Sequence, residues 1–257
     1  MQGACSAPRL SIVKRARIPV ASSGRPGGAD DGRGGQDPES PSVASRAIRT
    51  LRAEGLGAVA SKAAAALGGG GAVVVFEMQP QRVLDRAGPV PGVLVRPLEQ
   101  ADLPAYAGSQ PSTEEMVEAR LRRGDRCIVA VEGGSVLGSR WASTASADIG
   151  DIWLSFPLCP GVAYSYDAFT VAEARGRGIA AAVTAALFEE LVEDGAERVI
   201  NAVLPGNPAG QGLARERSDA LGALRSNRLG DWIVARCEIP AGYVGPPQPF
   251  KGAVPSS

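Results

Sequence analysis

The sequence predicts an α+β protein, an α/β sandwich in which a mixed, mostly antiparallel sheet is flanked by helices and preceded by a disordered N-terminal arm. Three observations carry this. Short strand-like runs recur between residues 72 and 239, and two of them flank Gly133-Gly134 as an antiparallel hairpin. The stretch from Pro111 to Gly124 has the start and stop signals of a helix. Between Val162 and Asp194 a strand, a glycine-bearing turn and an alanine-rich helix follow one another.

Residues 21–45 are rich in Gly, Pro, Ser and Asp. They bury too little apolar surface to offset the entropy of ordering, so residues 1–45 are expected to be a disordered arm. Arg46 to Leu67 reads as a helix broken at Gly55 and Gly57, and Gly68–Gly71 ends it. "AVVVFEM", Ala72 to Met78, is β-branched and reads as a strand. Together these make a helix–strand extension over residues 46–90. The compact domain is set at residues 91–240. It opens with the strand "GVLVRPL", Gly92 to Leu98, and continues into the helix "PSTEEMVEARLRRG". There, Ser112 and Glu115 have capping-box spacing and Gly124 is the stop. "DIWLSF" (Asp151 to Phe156), "VAYSYDAFTV" (Val162 to Val171), "ERVINAVL" (Glu197 to Leu204) and "DWIVARCEI" (Asp231 to Ile239) are further strands. Gly206 to Gly230 reads as polar and partly helical, and residues 241–257 as a Pro-rich tail.

Composition excludes several functions. The 257 residues are 44% hydrophobic, enough for a sizeable core, and the formal net charge is zero. A neutral chain has no bulk electrostatic grip on nucleic acid. The most apolar stretch, Gly55 to Phe76, contains Lys62 and is mostly Ala and Gly, so no membrane span is expected. The first twenty residues have no apolar block after their basic residues and are not read as a signal peptide. The four cysteines are far apart, with no CxxC pair, which points to a reduced, cytoplasmic protein with no metal site. There is no histidine, so Ser-His-Asp and Cys-His chemistry is excluded.

The stretch "EARGRGIAAAV", Glu173 to Val183, sets two arginines among glycines at the start of a helix. A cation at a helix start is disfavoured by the helix dipole, by ~0.3–1 kcal/mol at low salt. Gly176 and Gly178 carry no Cβ and allow a ligand close to the backbone. The first N–H groups of the helix are unpaired, and a phosphate would satisfy them with Arg175 and Arg177 as counter-ions. The plainer alternative is a surface helix start with two solvated arginines. Gly176-Arg177-Gly178-Ile179-Ala180-Ala181 also matches the dinucleotide fingerprint. Its context fails, because the next strand has Asn201 and Val203 where an acidic residue is wanted.

Arg175-x-x-Gly178-x-Ala180, in this order of elements, resembles the GNAT superfamily of acyl-CoA-dependent N-acyltransferases. "FTVAEARGRGIA" resembles the family's strand–turn–helix segment, "VLVRPLEQADL" its opening and "NAVLPGNPA" its later strand before a helix-starting Asn. The resemblance covers Gly92 to Ile239. It implies acetyl-CoA as acyl-donor substrate and a small-molecule amine, amino sugar or peptide as acceptor; the neutral charge and the lack of an apolar span, not the resemblance, point to no nucleic acid and no membrane partner. The resemblance also implies that the backbone of Arg175, Gly176, Arg177, Gly178, Ile179, Ala180 and Ala181 holds the pyrophosphate. Phe169, Thr170 and Val171 would bind the pantetheine amides, and Asn207 would contact CoA; its plainer role is an N-cap before Pro208.

Transfer to an amine needs a neutral amine, a polarised thioester and a proton for the thiolate. Without histidine the base is a carboxylate, a tyrosine or a water chain. The candidates are Asp151, Tyr164, Tyr166 and Asp167, of which Asp167 is favoured; its plainer role is a partner for an arginine or a bulge residue. Strand alternation sets Tyr164, Tyr166 and Thr170 on one face and Asp167 and Phe169 on the other. The family often has a tyrosine acid after the later Asn, but no tyrosine lies between Asn207 and Gly230. Ser218, or water, is left to protonate the thiolate. The departure keeps open a non-catalytic, CoA-binding or interaction module. Trp141, Trp153, Phe156 and Tyr164 are read as core before substrate wall, and the arginine runs near 120–126 and after 214 as solvated faces before an acidic-acceptor site.

Overall fold

The computed structural model describes residues 9–14, 70–85, 87–110, 112–229 and 232–250. The segment 21–45, the helix expected over Arg46–Leu67 and the tail residues 251–257 lie outside the described residues. The strands are β1 (Arg9–Lys14), β2 (Gly71–Met78), β3 (Leu94–Pro97), β4 (Arg126–Glu132), β5 (Ser135–Ser143), β6 (Ser146–Ile149), β7 (Leu154–Pro157), β8 (Val162–Thr170), β9 (Arg198–Val203), β10 (Ser218–Leu229), β11 (Trp232–Cys237) and β12 (Gln248–Pro249). The α-helices are α1 (Pro80–Leu84), α2 (Leu103–Ser109), α3 (Glu114–Arg122), α4 (Ile179–Glu193) and α5 (Pro208–Arg217).

Nine strands form one sheet in the order β1-β11-β10-β2-β9-β8-β5-β4-β3, and β12-β7-β6 form a small second sheet. Every neighbouring pair in the large sheet is antiparallel except β8 and β9, which run parallel. This is the mixed, mostly antiparallel sheet with flanking helices that the sequence predicts. The hairpin between β4 and β5 turns on Gly133 and Gly134, whose φ values of 56° and 80° are the left-handed pair a two-residue turn requires.

Helix α4 forms because Ile179, Val183, Leu187 and Leu191 repeat every fourth residue on an alanine-rich background, and all four are buried. Fully burying such side chains stabilises by ~1.5–3 kcal/mol each. They pack with Ile128, Ala130, Ala142, Ala163 and Val199 on one face of the large sheet. Alternate residues point to the opposite face. There, Cys127, Val129 and Trp141 pack with Leu103, Tyr106 and Val117 of α2 and α3. Further along that face, Tyr164 and Ile200 join Leu154 and Phe156 of the small sheet. Trp141, Phe156 and Tyr164 are therefore core residues, with Trp153 partly buried beside them.

Several elements differ from the sequence reading. The N-cap of α3 is Thr113, which accepts from the Met116 N–H at 3.3 Å; the Ser112–Glu115 box is off by one residue. The strand read from Asp151 begins at Leu154, because Gly150–Ile152 makes a 3-10 turn and Trp153 turns left-handed at φ 59°. The segment after Asn207 is helical only to Arg217, then becomes the twelve-residue strand β10. In β10, buried Leu224 and Ser226 alternate with exposed Arg225 and Asn227, a period of two that the small and polar side chains conceal. The strand of the 46–90 segment, β2, lies inside the large sheet between β10 and β9. Arg9–Lys14, within the expected arm, pairs with β11 as an edge strand.

The opening "VRPLEQAD" has a local cause. Arg96 donates to both oxygens of Asp102, at 2.6 and 2.9 Å, and Asp102 also accepts the Glu99 N–H at 2.9 Å. This fastens the end of β3 to the start of α2. The Arg96 hydrogen bond holds the Asp102 carboxyl below its ordinary value of 3.8. A carboxyl with a depressed folded pKa stabilises the fold above its unfolded pKa, and the stabilisation is lost as pH falls through the folded value. Asp102→Asn is expected to cost about 1 kcal/mol at pH 7 in urea unfolding. The gap between variant and wild type should close as the pH is lowered below 3.8.

Candidate functional site

Strands β8 and β9 pair only from Val162↔Arg198 to Tyr164↔Ile200. Both continue beyond, β8 to Thr170 and β9 to Val203, but no longer pair with each other. The facing edges of the two strands thus part after Tyr164 and leave a gap in the sheet. The strands run parallel, and each leads into a helix: β8 through a 3-10 turn at Ala172–Ala174 into α4, and β9 into α5. Two helix N-termini, each with partial positive charge, therefore stand at the same end of the sheet, at the mouth of this gap.

The loop at the first of them turns on two glycines, and the Arg175 N–H is already bound to the Ala172 carbonyl at 3.3 Å. Gly176 and Gly178 take φ of 80° and 85°, and Gly178 is the N-cap of α4. Residues 175–178 are exposed. Among the described residues, the N–H groups of Gly176 to Ala180 have no backbone acceptor, whereas Ala181 and Ala182 both donate to the Gly178 carbonyl. A Cβ on Gly176 would meet nothing within 4 Å, and on Gly178 only Val90 Cγ2 at 3.9 Å. Open space above unpaired N–H groups suits a phosphate. Arg177 is paired in the structure: it donates to Glu132 through both terminal nitrogens, at 3.1 and 2.6 Å. That hydrogen bond raises the guanidinium's pKa and lowers that of the Glu132 carboxyl. Arg177 must leave or share Glu132 to meet a ligand, while Arg175 stays exposed at the C-cap of the 3-10 turn.

Phe169 and Thr170 lie on the parted section of β8 and pair on their other edge with Ser139 and Gly138 of β5. Val171 donates its N–H to the Leu137 carbonyl at 2.9 Å. Asn207 caps α5: its side-chain oxygen accepts the Gly210 N–H at 2.9 Å, with Pro208 next.

Asp167 and Tyr166 lie together. The β5–β8 register shifts between Ser139↔Phe169 and Trp141↔Tyr166, which makes a bulge at Asp167 and Ala168. Asp167 has φ 43°, one of two positive-φ non-glycine residues among those described. The bulge breaks the alternation expected for this strand, so the separation of Asp167 from Tyr166 is corrected. Asp167 Oδ2 lies 2.6 Å from Arg120 Nη2, and the Arg120 guanidinium sits 5.2 Å from the Tyr166 ring and 5.1 Å from the Trp141 ring. Tyr166 stacks on Tyr164 at 5.6 Å and donates its hydroxyl to Asp125 Oδ2 at 2.7 Å. Burial, and the Asp125 carboxylate, push the Tyr166 hydroxyl pKa upward; burial does the same to Tyr164. Asp125 in turn pairs with Arg123 at 2.6 Å.

Ser218 and Asp151 are elsewhere. Ser218 begins β10, is buried, and donates to the Ala214 carbonyl. It is three strand positions from β8, on the order of 14 Å. Asp151 sits in the 3-10 turn before β7.

Sequence reasoning missed Arg120 and Asn201. Among the described residues, two buried side-chain polar atoms lack a hydrogen-bond partner: Arg120 Nη1 and Asn201 Oδ1. Both flank the parting of β8 and β9. Asn201 follows Ile200, the last β9 residue paired with β8, and by alternation shares the α4 face with Val199. Arg120 stands over Tyr166 on the other face. In the sequence Arg120 was one of several arginines; nothing marked it as the buried one. Among the described residues no group of three or more His, Cys, Asp or Glu is placed to hold a metal ion, and no helix is long and apolar enough to cross a membrane.

A model of the acetyltransferase (GNAT) family matches residues 94–218, from β3 through the parted strands and α4 to the end of α5. The chain carries a GNAT acetyltransferase domain. The match ends where β10 begins, and it excludes β2, which lies between β9 and β10 in the sheet. Solved structures with similarity include a conserved protein of unknown function from Staphylococcus epidermidis, 10% identical, covering 79% of this chain and 70% of that one, with TM-score 0.44. An acetyltransferase from Trypanosoma brucei is 19% identical over 47% of this chain and 90% of its own, with TM-score 0.36. An aminoglycoside N-acetyltransferase in complex with CoA is 17% identical over 48% of this chain and 88% of its own, with TM-score 0.39. No curated protein matches the sequence.

Proposed function

We propose that this GNAT domain transfers an acyl group, with acetyl-CoA as donor, directly to the amine of a small molecule or peptide. The parting of β8 and β9 beneath an open helix N-terminus carries this reading. The diphosphate would meet the N–H groups of Gly176 to Ala180 and the side chain of Arg175, with Arg177 recruited from Glu132. The pantetheine arm would run along the free edge of β8 past Thr170 and Phe169, in the manner of an added strand. The thioester then lies near the bulge at Asp167, where the extra residue's backbone groups are released from the ladder.

The amine nitrogen attacks the thioester carbon, forming the C–N bond while the C–S bond breaks with its electron pair on sulfur. The amine enters as an ammonium, loses one proton to become nucleophilic and another after attack; the thiolate takes up one, so one proton is released overall. Asp167, half exposed beside the bulge, is the group offered to orient the amine and pass its proton to water. The Tyr166 hydroxyl is committed to Asp125 and Ser218 to a carbonyl, so water protonates the thiolate.

That commitment of hydroxyls also favours a second reading, a CoA-binding module without turnover. The two separate in one experiment. The full chain is titrated with acetyl-CoA and NADP, then incubated with acetyl-CoA and a panel of amines while free thiol is followed. Acetyl-CoA binding with amine-dependent thiol release supports transfer. Binding without release with any amine supports the module, and binding of NADP alone removes both.

A further inference from the structure

Three costs converge on one ion pair. Asp167 is a non-glycine residue held at φ 43°, a strained backbone that proteins keep chiefly where it serves a site. Arg120 is a largely buried cation set between Trp141 and Tyr166. Its Nη1 is one of the two buried side-chain atoms without a partner among the described residues, and a native group of this kind calls for an explanation. The bulge accounts for the backbone of Asp167, and Asp167 with the two rings compensates the charge of Arg120; the unpartnered Nη1 is what the fold leaves unexplained.

The free valences define the missing partner. Arg120 uses Nη2 on Asp167 and keeps the N–H groups of Nη1. Asp167 uses Oδ2 and keeps Oδ1, on a side chain that is 50% exposed. A ligand completing both must present an acceptor, best an anion, to Arg120 and a donor, best a cation, to Asp167. The two groups must be close together, because the two valences belong to one pair whose N···O distance is 2.6 Å. Asp125, which accepts the Tyr166 hydroxyl, and Asp148 both pair with Arg123, so that group is engaged within itself and carries one negative charge in excess. The dyad therefore offers one positive and one negative group side by side.

We propose that Arg120 and Asp167 form a zwitterion clamp, and that the acceptor is an α-amino acid whose ammonium meets Asp167 and whose carboxylate meets Arg120. The inference rests on the acyl-transfer reading, and it adds the substrate class. The clamp holds the amine at the bulge, beside the gap from which the thioester comes. Arg120 acts here as a specificity residue, since it binds the carboxylate and not the reacting nitrogen.

The test uses the full chain with acetyl-CoA and follows free thiol with three acceptor sets: α-amino acids, their decarboxylated amines and their carboxamides. The wild type is expected to use at least one α-amino acid with kcat/KM about tenfold or more above its decarboxylated amine, since a carboxylate–guanidinium hydrogen bond is lost in the latter. The carboxamide, which keeps an acceptor but no charge, should fall between. In Arg120→Met, and less so in Arg120→Lys, the ratio of amino acid to amine should collapse toward one, with folding checked by circular dichroism. The wild-type comparison stands even if Arg120→Met does not fold. Equal or better use of the decarboxylated amines by the wild type, or no use of any amino acid, overturns the clamp. Loss of acetyl-CoA binding in the parallel titration would instead overturn the acyl-transfer reading beneath it.

Discussion

Gly178→Glu is expected to abolish CoA binding, weakening it by about 100-fold or more in calorimetric titration. Gly178 is the N-cap of α4 at φ 85°, and a Cβ there meets only Val90 Cγ2, at 3.9 Å. The side chain therefore has room, and it occupies the space above the unpaired N–H groups of residues 176–180. Its carboxylate satisfies those donors from within and repels a diphosphate. The left-handed backbone costs an L-residue ~1–2 kcal/mol, which a negative charge at a helix N-terminus offsets in part, by ~0.3–1 kcal/mol. The variant should thus fold. Gly178→Ala shares the strain without the charge and should lose much less affinity. Equal binding by wild type and Gly178→Glu would remove the phosphate site from this loop.

A chain shortened to begin at Gly92 is expected not to fold, although it retains the whole family-matching segment. Strand β2 pairs on one edge with β10 and on the other with β9, the strand that forms one side of the gap. It buries Val73, Val75, Phe76 and Met78. At ~1.5–3 kcal/mol for each fully buried side chain, their loss is of order 6–12 kcal/mol, comparable to the whole stability of an ordinary domain. Removal also opens the interior edges of β9 and β10 to pairing with other chains. Circular dichroism and size-exclusion chromatography decide it. A monomeric, cooperatively melting product would show that residues before Gly92 are an accessory and not part of the core.

Legibility in the sequence followed how strongly local physics determines each element. Helix α4 was readable because Ile179, Val183, Leu187 and Leu191 recur every four residues, and the hairpin because Gly133-Gly134 admits few other conformations. Strand β10 was hidden because "SDALGALRSNRL" is small and polar, and its alternation emerges only once β2 and β11 lie on either side. The place of β2 was hidden for a related reason: a β-branched run announces a strand but not its neighbours. At the site, the turn before α4 was readable from Gly176 and Gly178, both left-handed in the structure; that it holds a phosphate is the proposal. The grouping of Asp167 with Arg120 and Tyr166 was not readable, because strand alternation sends Asp167 to the other face. One bulge residue resets that alternation, and no side chain in "AYSYDAFT" announces the bulge. Arg177 is a similar case, since its pairing with Glu132 depends on how the β4–β5 hairpin approaches the loop.

The parted strands β8 and β9 and the loop at their mouth are proposed to bind the acyl donor. Amide hydrogen exchange of the full chain, with and without CoA, tests it most directly. Slowed exchange is expected over residues 166–181 when CoA is added, with β3 and β11 unchanged. CoA that binds without slowing exchange there, or that does not bind at all, would contradict the account.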